Sequence, residues 1–166
     1  MNSYHRAETN RFLYLARLQL EMAANTDLRN TLSLPDAMHE KIFSEAVLHF
    51  LHRAYQHYLL EIAETTQCKL TAKRAVPMLE KWHAEGWYSD QLNELVKLET
   101  TESWLADLLI KIDESYPQLE PIHKNVPDNL IAIVTDDQRS DVERLENWQA
   151  ELQGLIQRQR QFNQNW

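Results

Sequence analysis

Residues 45–64 read EAVLHFLHRAYQHYLLEIAE. Wound at about 100° per residue, Val47, Leu48, Phe50, Leu51, Ala54, Tyr55, Tyr58, Leu59 and Ile62 fall on one continuous arc. That arc covers about half of the helix circumference, wider than the stripe a surface helix needs. A helix wet on one side only has to be packed by two or more neighbours, so the stretch predicts a central pillar. Traced outward, the pillar begins behind Ser33, Pro35 and Asp36. Pro suits the first turn of a helix and Asp its positive end. It takes in Phe43 and runs from about Pro35 to Thr66 as the second helix of the chain.

The same periodicity supplies its neighbours. A first helix from about Ser3 to Asn25 carries His5, Thr9, Phe12, Ala16, Gln19 and Ala23 along one seam, flanked by Leu13, Leu15, Leu20 and Met22. Thr26 to Leu34 is polar and reads as a loop. A third helix spans Ala72 to Glu85, with Thr71 as cap and Gly86 at the left-handed stop. Pro77 inside it predicts either a kink or a start near Val76. Short helices follow at Ser89–Leu98 and, from Thr101 or Glu102, to Ser115; the latter is striped by Trp104, Leu105, Leu108, Leu109 and Ile112. Residues 116–137 hold three prolines and no helical period, with Leu130–Val134 as an apolar strap. A sixth helix, from Asp136 or Asp137 to about Gln161, repeats Val142, Leu145, Trp148 or Gln149, Leu152 and Ile156 at heptad-like spacing. Only two glycines and five prolines occur in 166 residues, too few for the turns of a sheet protein. The expectation is an all-α protein: residues 1–166 as a single-domain antiparallel bundle of five to six helices.

Charge and cysteine usage exclude several roles. Twenty-five acids against 17 bases leave a net charge of −8, a field that repels phosphate backbones and argues against nucleic acid. The tail QGLIQRQRQFNQNW (Gln153–Trp166) has two arginines and no acid, too little charge to hold nucleic acid or a membrane surface. Cys68 is alone, so neither an internal disulfide nor a multi-cysteine zinc site can form, and a reducing compartment suits it. Met1–Arg11 is polar, without the apolar core of a signal peptide. No apolar run nears the ~20 residues that span a bilayer. A cytoplasmic protein is expected, with no membrane partner.

Catalytic and metal-binding patterns are missing as well. A di-iron bundle needs two Glu-x-x-His units, and the chain has one, Glu80 with His83; Asp36 with His39 and Glu45 with His49 are looser pairs. No serine sits in a glycine-framed elbow, Cys68 has no histidine beside it, and the two glycines are isolated. No catalytic residue, metal site or cofactor is therefore expected. Two constellations stand out instead. His5, Thr9, Gln19, His57 and Glu61 are polar residues at buried spacing, either a network that fixes helix register or the lining of a small-ligand site between the first and second helices. Glu61 is expected to be buried and bonded to a first-helix group or to His57. Trp82, Trp87 and Tyr88 cluster around the turn after the third helix, as corner packing or as anchors for a partner protein.

Three segments, RAETNRFLYLARL (Arg6–Leu18), the pillar EAVLHFLHRAYQHYLLEIAE and ESWLADLL (Glu102–Leu109), resemble a proteobacterial family of uncharacterised helical proteins of about this length, a domain of unknown function. The resemblance implies a bacterial cytoplasmic helical protein and brings no activity with it. The pillar also resembles, more weakly, the helical bundles of the higher-eukaryote-and-prokaryote nucleotide-binding type. Their nuclease motif, an Arg followed by a His five to seven positions on, is absent: Arg53 and His57 are four apart, Arg74 and His83 nine. The function expected is that of a non-enzymatic bundle acting through protein–protein contacts, self-association included. The alternatives are an RNA-associated bundle lacking nuclease activity and a small-ligand binder using the polar cluster.

Overall fold

The computed structural model describes residues 3–33, 35–115 and 141–164. Seven helices make up the described chain: α1 (Tyr4–Ala23), α2 (Thr26–Leu32), α3 (Asp36–Thr65), α4 (Ala75–Ala84), α5 (Asp90–Thr100), α6 (Trp104–Ser115) and α7 (Asp141–Gln164). Among the described residues there is no strand. The all-α expectation holds, and the pillar is α3. The proposed strap Leu130–Val134 lies outside the described residues.

Local chemistry explains where the helices begin. Ser3 caps α1, its hydroxyl accepting the Arg6 N–H at 3.2 Å. The polar stretch taken for a loop holds α2, because Asn25 caps it by accepting from the Asp27 and Leu28 N–H groups at 3.0 and 3.1 Å. Ser33 ends it in the left-handed region at φ 51°. Asn, Asp, Ser and Thr serve turns and helix caps alike, so composition alone did not separate the two. The pillar is consequently third in the chain rather than second. Pro77 falls in the first turn of α4, where a missing N–H leaves no bond unmade, and so sets the start near Ala75 without a kink.

Side-chain contacts fix the directions. Ser3 of α1 bonds Glu64 at the end of α3, while Phe12 stacks on Phe50 with ring centroids 6.3 Å apart; α1 therefore runs antiparallel to the pillar. Asp141 lines one groove with Ser44 and Leu48, and Arg160 reaches Glu61, so α7 runs parallel to it. Lys111 and Ser115 line the same groove as Ser44, which sets the last turns of α6 beside the first half of α3. All these helices share one hydrophobic core. Val47, Leu51, Ala54, Tyr55 and Leu59 are wholly buried in it, alongside Ala16, Leu105, Leu108, Leu152 and Ile156. Phe50, at the edge of the arc, is only half-buried; the centre lies nearer Leu51 and Tyr55.

Leu51→Ala should cost about 2–5 kcal/mol, since a fully buried leucine leaves a cavity, and Phe50→Ala clearly less. Ile110→Ala, at an exposed position, should stay within about 0.5 kcal/mol of wild type. Urea midpoints check the order; Leu51→Ala no worse than Ile110→Ala would refute the placement of the core.

Candidate functional site

Polar side chains on α3 tie it to its neighbours turn by turn. Tyr55 donates its hydroxyl to Glu99 Oε1 of α5 at 2.6 Å. The same carboxylate accepts the Ala75 and Val76 N–H groups at 2.9 and 3.0 Å, supplying the cap that α4 lacks from its own sequence. One turn on, Tyr58 donates to Gln159 Oε1 of α7 at 2.6 Å. Gln159 in turn donates to Glu94 Oε2 of α5 at 2.6 Å, and Arg158 pairs with the other oxygen of that carboxylate. Burial, and then the nearby carboxylate, push the Tyr55 phenol well above its ordinary range. Burial, with Glu61 second, does the same to Tyr58. Both phenols thus stay protonated donors and are unsuited to acid–base work.

The third tie is ionic. Arg160 of α7 forks onto Glu61, Nε to Oε1 at 2.8 Å and Nη2 to Oε2 at 2.7 Å, while its Nη1 donates to Asn10 Oδ1 of α1 at 2.8 Å. The two charged side chains are only 13% and 8% exposed. Glu61 is buried, as its spacing requires, yet its partner comes neither from the first helix nor from His57. Periodicity puts a residue on a face of its own helix; it does not say which distant segment lies opposite. Arg160, Asn10, Glu99, Gln159 and Glu94 escaped the sequence reading for that reason.

Among the other residues singled out, His5, Thr9 and His57 come together. The His5 and His57 Nδ1 atoms lie 3.2 Å apart, the Thr9 hydroxyl donates to the His5 carbonyl at 2.8 Å, and His57 stacks on Phe12 at 5.5 Å. Arg53 Nη2 is 3.4 Å from His57 Nε2. Burial, then Arg53 and His5, hold His57 below the usual histidine value; burial, then Arg74, does so for His52. Gln19 lies ten residues farther along α1 than Thr9, about 15 Å away, and does not join the cluster. Trp82 is wholly buried, its indole N–H donating to the Leu70 carbonyl at 2.7 Å, so it is core and not an anchor. Trp87 and Tyr88 are exposed by 41% and 76%. Among the described residues no group of three His, Cys, Asp or Glu converges as a metal site. A groove of about 350 Å³ opens between α1 and α7, lined by Asn10, Tyr14, Arg17 and Arg160 among others.

The model of a family described as a family of unknown function, DUF6586, matches residues 1–166. The chain belongs to that family. No curated protein and no solved structure matches it. For this DUF6586 chain the interior polar residues are therefore read from their own geometry, which joins helices α1, α3, α4, α5 and α7.

Arg160→Met should cost about 3–5 kcal/mol by stranding the Glu61 carboxylate, and Glu61→Leu a similar amount by stranding the guanidinium, whereas the two together should return to within about 1–2 kcal/mol of wild type. Denaturant midpoints of the two single variants and the double variant form the cycle. Additive losses would show that the pair is not coupled.

Proposed function

We propose that this protein is a non-enzymatic helical bundle that binds a protein surface through one end. That end is where α3 and α7 finish and α1 and α5 begin. The observation that carries the proposal is the placement of exposed aromatics. Tyr4 is 65% exposed in the first turn of α1, Phe162 63% in the last turn of α7, and Trp87 and Tyr88 stand in the turn that leads into α5. The Ser3–Glu64 bond sets the first of these beside the end of α3, and the Gln91–Gln159 bond at 3.2 Å brings α5 to the end of α7. Four of the five exposed aromatics among the described residues thus share one end. Aromatic side chains bring large apolar area at low entropic cost and dominate protein interfaces.

The alternative readings have less support. Glu61, weighed as a ligand contact, is spent on Arg160. Arg158 and Arg160 are each paired to a carboxylate, so they offer no free basic face for RNA.

Photo-crosslinking residues placed at positions 88 and 162 in the full chain should give discrete products, which the same residue at position 110 does not. Light scattering assigns the occupant, since a second copy doubles the mass and Tyr88→Ser restores the monomer. A monomer with no discrete product from positions 88 and 162 would overturn the proposal.

A further inference from the structure

We propose that His5 and His57 form an acid-released latch holding the first turns of α1 on the C-terminal half of α3. Arginine can only donate, so the Arg53 contact obliges His57 Nε2 to accept. A neutral imidazole has one N–H; that of His57 is then on Nδ1 and points at His5 Nδ1, 3.2 Å away. His5 must accept there and carry its own proton on Nε2. The proton order of the chain Arg53, His57, His5 is fixed from one end, and both rings are neutral.

An added proton has no place in that chain. On His57 Nε2 it faces the Arg53 guanidinium. On His5 Nδ1 it faces the His57 N–H, unless His57 moves its own proton to Nε2 and meets Arg53 again. The other charged groups that act on His57 are Glu8 and Arg11 of α1. Glu8 favours protonation, but both of its oxygens are taken by Arg11 Nη1 at 3.0 Å. Two guanidinium groups therefore oppose the proton and one shared carboxylate invites it. A spacing of 3.2 Å would also suit two nitrogens on one tetrahedral metal ion. Metal on Nδ1, however, would put the His57 N–H on Nε2 against a cation, where a ligating histidine needs an acceptor.

An unlatched His57 ring titrates near the ordinary value of about 6.5, whereas burial and the Arg53 guanidinium hold the latched ring below it. The latch is whole above that value and weakens as the pH falls through it, because the open form binds more protons. At about pH 5.5 the proton excluded from His57 favours the open form about tenfold. Tyr4, whose ring centroid is 6.2 Å from that of His57, rides on the latched turn. Opening would therefore rearrange the aromatic end proposed above as a docking surface, though the test below reads the latch alone.

Long-range proton–nitrogen spectra of the ¹⁵N-histidine-labelled full chain at about pH 7.5 should show His57 protonated on Nδ1 and His5 on Nε2, with His57 titrating below about 6.5. Amide protection of Arg6 to Arg11, corrected for intrinsic exchange, should fall about tenfold or more between about pH 7.5 and 5.5. His57→Gln, whose carboxamide can accept from Arg53 and donate to His5, should keep the contact and lose that dependence. His57 carrying its proton on Nε2, a pKa at or above the ordinary value, or protection of α1 that ignores pH would overturn the latch. The tautomer and protection readings are made on the wild-type chain, so they decide the matter even where a variant does not fold.

Discussion

A helix that buries about half of its circumference must send its polar side chains into its neighbours, and α3 is built on that constraint. Tyr55, Tyr58 and Glu61 recur at three-residue intervals, so each falls about 60° round the helix from the last. That small rotation walks the polar contacts across successive partners. Tyr55 meets Glu99 of α5, Tyr58 meets Gln159 of α7, and Glu61 meets Arg160 of α7, which also grips Asn10 of α1. A slip of one neighbour along the pillar would strand buried donors and acceptors, at a cost of about 1–3 kcal/mol each. The hydrophobic arc drives assembly, and the polar rungs set its register.

The Glu61–Arg160 pair shows why register and stability are separate matters. Taking two charges out of water costs several kcal/mol per ion, which the fork geometry offsets without a large surplus. What the pair contributes is a fixed height for α7 against α3, and through Asn10 for α1 as well. Glu99 plays a comparable part, since one carboxylate accepts a phenol and two backbone N–H groups from different elements. The phenols it and its counterparts engage are held as neutral donors by burial. These interior polar groups are engaged in assembly, which leaves the exposed aromatic end and the His5–His57 contact as the groups proposed to act.

The sequence by itself determined the helical class, the pillar and the polar residues that would be buried in it. Those properties follow from the 3.6-residue period and from the cost of burying polar atoms, both local to one helix. Glu61 and Thr9 could be placed inside on these grounds. The tertiary structure decided the rest. That Glu61 pairs with Arg160, 99 residues away, that Trp82 is core while Trp87 and Tyr88 are not, and that His5 meets His57 depend on which helices lie side by side and in which direction. Periodicity gives each helix an inside and an outside, but contact across the core depends on register and crossing between segments, which no local pattern encodes.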